Sequence, residues 1–93
     1  MSVFAVTYTY DATKEAMDAI RPDHRAWLAD LLAKDVLLAS GPNVGRPTAL
    51  LIFRAESLED LADLLDHDPF DIAGFIGERD IVEWNPIFGP FNA

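Results

Sequence analysis

The sequence contains no cysteine. Disulfides, thiol nucleophiles and thiolate metal sites are thereby excluded, and a small domain without disulfides fits a reducing compartment. Basic residues are scarce too: seven Lys and Arg stand against sixteen Asp and Glu, a net charge of −9 and a pI near 4.3. Such a chain repels a phosphate backbone, so neither nucleic acid nor an anionic membrane is an expected partner. The acids are scattered from Asp11 to Glu83 rather than clustered, which describes a solvated, solubilising surface. Long apolar runs are missing. The clearest, Ala49 to Phe53, is far too short for a bilayer. No basic stretch accompanies Met1-Ser2-Val3-Phe4, so no secretory signal is expected and the expected location is cytoplasmic. Also lacking are a glycine-rich phosphate loop, a dinucleotide fingerprint and a G-x-S-x-G elbow around Ser40. The expected cofactor is therefore none, and Ser40 is not expected to act as a nucleophile.

What is present is apolar: 51% of the 93 residues are hydrophobic. The length fits a single domain spanning residues 1–93. A chain of this size hides only roughly 60–68% of its unfolded surface, so that apolar content suggests more burial than one subunit provides.

Residue periodicity sets the order of elements. Val3 to Tyr10, rich in β-branched and aromatic residues, predicts a strand. Asp11 to Ile20 reads as a connection with a short helical turn. Pro22 stands where a first helical position belongs, and His24, Trp27, Leu28, Leu31 and Leu32 then recur on one helical face. Val36 to Ala39 predicts a second strand, Asn43 to Pro47 a turn, and Ala49 to Arg54 a third strand. Ser57 with Asp60 forms a capping box that opens a second helix, with Leu58, Leu61, Ala62 and Leu65 as its apolar stripe. Asp68-Pro69 breaks that helix, a short turn covers Phe70 to Ile76, and Asp80 to Trp84 predicts the last strand. The order β-α-β-β-α-β is the split βαβ, ferredoxin-like arrangement of the α+β class.

Two helices cover one face of such a sheet. Val36 to Ala39 and Leu50 to Phe53 are nevertheless apolar on both faces, and exposing the second would leave a large apolar patch. A homodimer packed sheet against sheet is the expected remedy. The apolar tail Pro86 to Phe91 is expected to cover a neighbour.

Two side chains draw chemical interest. His24 lies on the apolar face of the first helix and should point inward. It is either a core histidine satisfied by a nearby backbone group or an acid–base group. A helix N-terminus beside it would favour the neutral ring, able to take a proton. Asp68 is the candidate carboxylate partner, although Asp before Pro is also a common helix cap. His67 is expected to be exposed, and a metal site from His24, His67 and Asp68 has no recognised ligand spacing, so no metal is expected.

The segment Arg21-Pro22-Asp23-His24-Arg25-Ala26-Trp27-Leu28 resembles the R-P-x-H-x-x-x-L motif of the YCII-related family. The resemblance continues through Ala39-Ser40-Gly41-Pro42, Phe53 to Glu59, Asp68-Pro69-Phe70 with Ala73-Gly74, and Val82-Glu83-Trp84-Asn85 with Phe88, so nearly the whole chain is covered. It implies a ferredoxin-like fold that dimerises as in the dimeric α+β barrel group. It also implies that His24 and Asp68 form the catalytic pair, with Arg21, Ser40, Gly41, Pro42 and Phe70 as substrate-binding candidates. One departure is the link from Asn43 to Pro47, shorter than is common in the family, where a loop often helps enclose the site. Relatives with a dehydrochlorinase or muconolactone isomerase activity imply a cofactor-free lyase or isomerase moving protons on a small cyclic compound. The alternative is a non-catalytic dimeric module that binds or senses a small molecule.

Overall fold

The fold, taken from a computed structural model that describes residues 1–91, is built around one sheet. In chain order the elements are β1 (Ser2–Tyr10), α1 (Lys14–Ala33), β2 (Leu37–Pro42), β3 (Thr48–Ala55), α2 (Leu58–Leu65), α3 (Pro69–Ile72) and β4 (Ile76–Trp84). The four strands are antiparallel neighbours in the order β2-β3-β1-β4. This is the expected ferredoxin-like α+β arrangement.

Strand alternation divides the sheet into two faces. Phe4, Val6 and Tyr8 of β1 and Ala49, Leu51 and Phe53 of β3 point to the helices, where they pack with Leu31 of α1 and Leu61 and Leu65 of α2 in the core. The other face carries Ala39, Leu50, Ile52, Val82 and Trp84, as the register of paired residues requires. Leu50, Val82 and Trp84 are 43%, 51% and 41% exposed there, whereas the same-sided Val3 and Ile52 are buried. The tail reaches back to this face: Phe91 lines a shallow hollow with Leu50, Ile52 and Trp84 of its own chain.

The first helix corrects the sequence reading. It begins at Lys14, not near Pro22, and Pro22 lies inside it. Thr13 is the cap, its hydroxyl accepting from the Ala16 N–H at 3.2 Å, and Glu15 sits favourably in the first turn. Met17, His24 and Leu31, seven residues apart, are the buried positions, so one stripe runs through the proline. Packing of that stripe outweighs the hydrogen bond that Pro22 cannot donate. His24 is therefore in mid-helix, and the helix N-terminus is too far along the chain to act on it. Strands β2 and β4 also extend beyond their expected bounds, to Pro42 and back to Ile76.

The helix ends are closed locally. After α1, the Asp35 N–H donates to the Leu32 carbonyl and the Val36 N–H to the Leu31 carbonyl, a Schellman closure with Asp35 at φ 58°. Helix α3 ends the same way with Gly74 at φ 78°, where glycine adopts the left-handed conformation without strain. The Ser57 hydroxyl caps α2 by accepting from the Asp60 N–H at 3.1 Å, as the capping box predicts.

Candidate active site

The site forms where mid-α1 meets the start of α3, above one end of the sheet. Asp68 caps α3, with Pro69 in the first turn, and its Oδ1 accepts from the Phe70 N–H at 2.9 Å. The same Oδ1 lies 2.7 Å from His24 Nδ1, and Oδ2 accepts from the Tyr8 hydroxyl at 2.9 Å. Asp68 is fully buried and His24 is 6% exposed. Two donors, the Tyr8 hydroxyl and the Phe70 N–H, and the His24 ring converge on one carboxylate, an arrangement met by an imidazole that carries a proton on Nδ1. Capping and pairing with His24 are thus two uses of one side chain.

The second ring nitrogen is left to face outward. His24 Nε2 has no hydrogen bond with the described residues, yet no buried side-chain nitrogen or oxygen among them lacks a partner. It is therefore accessible, and His24 lines a cavity of about 360 Å³ between α1 and the β2 end of the sheet. Met17, Leu28, Ala49 and Leu51 supply apolar wall, and Ser40, Gly41 and Pro42 of β2 close one side. Phe70 is not part of that wall. It packs beneath the pair, stacked on the His24 ring with centroids 3.9 Å apart and planes 13° from parallel. The Arg21 guanidinium lies 5.7 Å from the Phe70 ring centroid and lines the cavity, its Nε donating to Asp18 at 3.1 Å. Lys14 first, and then Arg21, hold the Asp18 carboxyl below the usual carboxylate range.

Other sequence candidates lie elsewhere. His67 is exposed, its Nδ1 2.9 Å from the Asp63 carbonyl. Among the described residues no group of three or more His, Asp or Glu is gathered as metal ligands. The turn carrying Asp68 is also braced from the sheet, because Arg79 of β4 donates to Asp66 and Asp71, both at 2.8 Å, on either side of it.

Sequence reasoning missed Tyr8, Tyr10, Arg25 and Arg46. Tyr10 lines the cavity, and burial first, with the Asp68 charge second, pushes its phenol up to about 12. Burial and then Asp68 likewise raise Tyr8, which therefore remains a donor. The signal was their shared parity with Phe4 and Val6: tyrosines on a buried strand face need partners for their hydroxyls. Arg25 and Arg46 also line the cavity, the latter delivered by the Asn43–Arg46 turn, which Gly45 closes at φ 73°. Exposed charged positions carry no burial pattern by which to find them.

This combination of a four-stranded antiparallel sheet and helices on one face recurs in solved structures. A 5-chloro-2-hydroxyhydroquinone dehydrochlorinase from Burkholderia phenoliruptrix AC1100, in complex with 2,5-dihydroxybenzoquinone, is 22% identical with a TM-score of 0.79, over 98% of this chain and 99% of that one. Muconolactone isomerase is 11% identical with a TM-score of 0.72, over 100% of this chain and 97% of that one. A NIPSNAP family protein from Agrobacterium tumefaciens is 18% identical with a TM-score of 0.62, over 97% of each chain. No curated protein sequence matches the chain. The family model of the YCII-related domain matches residues 1–85, and the chain belongs to that family. No helix among the described residues is long and apolar enough to cross a membrane.

Proposed function

We propose that the protein is a cofactor-free lyase or isomerase that transfers a proton on a small cyclic or aromatic-derived compound. The observation that carries this reading is the 2.7 Å contact between His24 Nδ1 and a buried, three-times hydrogen-bonded Asp68, with the opposite ring nitrogen open to the cavity. Asp68 orients the ring and stabilises its charge when Nε2 takes a proton from a substrate carbon or hydroxyl. His24 then returns that proton to another substrate atom in an isomerisation. In an elimination, the electron pair expels the leaving group instead. Tyr10, a protonated phenol at neutral pH, is placed to donate to the oxygen on which negative charge develops. Arg21, Ser40, Gly41 and Pro42 border the substrate, while Phe70 holds the imidazole plane by stacking.

Two proteins of similar fold support the substrate class, since a 5-chloro-2-hydroxyhydroquinone dehydrochlorinase and muconolactone isomerase share the architecture. The working form is a homodimer joined through the open sheet face, located in the cytoplasm. A panel of hydroxyquinones and unsaturated lactones in deuterated buffer tests the reading. The expected result is deuterium incorporation at carbon or loss of a leaving group, falling at least about 100-fold in His24→Gln. That variant should stay folded within about 1 kcal/mol of the native protein, because its amide still reaches toward Asp68. Binding without turnover in every case would instead identify a non-catalytic binding module. A cost of roughly 1–3 kcal/mol, with unaltered turnover of a processed compound, would make His24 a structural group.

A further inference from the structure

The distribution of positive charge says what the cavity selects. Of seven Lys and Arg residues in a chain of net charge −9, three (Arg21, Arg25 and Arg46) line the same cavity as His24. No Asp or Glu lines it. Of the four cations elsewhere, three are matched with acids, Lys14 with Asp18, Lys34 with Asp30, and Arg79 with Asp66 and Asp71, while Arg54 of β3 has no ion pair among the described residues. Arg21 is matched with Asp18 through Nε, and its terminal nitrogens make no ion pair among the described residues. Arg25 and Arg46 have no ion pair among the described residues, although acids outnumber bases by more than two to one. Asp68 is buried behind His24 with both carboxylate oxygens hydrogen-bonded, and Asp18 beside Arg21 is shared with Lys14.

The remaining wall is of two kinds. Met17, Leu28 and Leu51 offer apolar surface suited to a ring. Arg25 from α1 and Arg46 from the β2–β3 turn approach from different elements, so they converge on the cavity rather than running along one helix. Planar guanidinium groups suit the paired oxygens of a carboxylate or the adjacent oxygens of an acidic enol.

We propose that this cavity is a site for a small cyclic organic anion, its charged oxygens held by Arg25 and Arg46 and its ring laid against the apolar wall near His24. The short link between β2 and β3 has a use in this arrangement, since it carries Arg46 to the wall. The proposal rests on reading the cavity as the ligand site, but it does not require turnover.

A matched pair of probes tests it: 4-hydroxybenzoate and its neutral analogue 4-hydroxybenzamide, titrated by calorimetry and by amide NMR shifts on the full chain. A third probe, 2,5-dihydroxybenzoquinone, is an anion at neutral pH without a carboxylate and distinguishes the acidic enol from the carboxylate. At least one anion should bind about tenfold or more tightly than the amide, with shifts concentrated at Arg25, Gly41 and Arg46. The double variant Arg25→Gln with Arg46→Gln should remove that preference and leave the affinity for the amide unchanged. Equal affinity for anion and amide, anion binding unaffected by the double variant, or no binding of any probe at millimolar concentration would each overturn the proposal. His24→Gln separates it from the catalytic reading: the anion preference should persist in that variant while proton exchange is lost.

Discussion

Asp68 carries three hydrogen bonds, and the Tyr8 hydroxyl is the one that comes from the sheet. Its phenol is fully buried, and burial followed by the neighbouring carboxylate raises its proton affinity above the ordinary tyrosine value of 10.0. A raised folded-state value means that above pH 10 the unfolded chain has lost a proton which the folded chain still binds. Stability must therefore fall as pH climbs past 10, by up to about 1.4 kcal/mol per pH unit for that proton. Tyr10 contributes in the same direction until about 12. Tyr8→Phe is expected to cost about 1–2 kcal/mol at pH 7, from the lost bond to Asp68, while making the alkaline decline shallower. Urea unfolding at half-unit steps from pH 8 to 11.5 measures both effects. An alkaline slope equal to that of the native protein would disprove the assignment. In the sequence Tyr8 and Tyr10 read as strand-forming residues, and their parity with Phe4 and Val6 signals buried hydroxyls without naming the group that accepts from them. Asp68 was ambiguous there because one carboxylate serves both as helix cap and as partner to His24. The family resemblance, not local pattern, singled it out.

At the level of elements, the legible features were those with a local chemical signature. Ser57 with Asp60 marks the start of α2, Asp68-Pro69 marks α3, and β-branched or aromatic runs mark β1 and β3. Where two signals competed, the reading failed. Pro22 suits a helix start, and that signal hid Thr13, whose cap opens a helix with the Met17–His24–Leu31 stripe. In β4, Gly77 and the charged run Glu78-Arg79-Asp80 masked a strand edge that pairs with β1 from Tyr10 onward. Asp35 shows a different kind of compromise. It occupies the left-handed position that ends α1, at φ 58°, where Gly74 does the same work at the end of α3. A side chain in that conformation costs on the order of 1 kcal/mol relative to glycine, more than the unfolded-state entropy that glycine adds. Asp35→Gly is thus expected to stabilise the fold by about 0.5 kcal/mol, read as a higher urea midpoint with an unchanged slope. A lower midpoint would show that the Asp35 side chain contributes to the closure.

For the whole molecule, the sheet's two faces have different fates. One is filled by Leu31, Leu61 and Leu65 from the helices. The opposite face presents Leu50, Val82 and Trp84, each more than two-fifths exposed, around buried Val3 and Ile52. The chain's own tail brings Phe91 against part of this surface, so the tail lies on its own sheet. That cover is partial, since the three side chains remain open with it in place. Soluble monomers rarely leave a contiguous apolar patch on a sheet, and a two-fold pairing of identical faces hides it with one self-complementary contact. A stable pairing should bury well over about 1,000 Å² in total. The dimer is therefore expected to scatter light at about twice the 10.3 kDa of the chain at micromolar concentration. Leu50→Asp places a charge on an exposed position of this face, where pairing would bury it without a partner. It should yield a folded monomer with unchanged far-ultraviolet circular dichroism. Because the His24 cavity opens on the helix side, bounded by α1, the monomer should still bind ligand there, with affinity reduced only as far as β2 loosens. A native protein that scatters as a stable monomer at that concentration would remove the dimer from the account and leave the cavity intact.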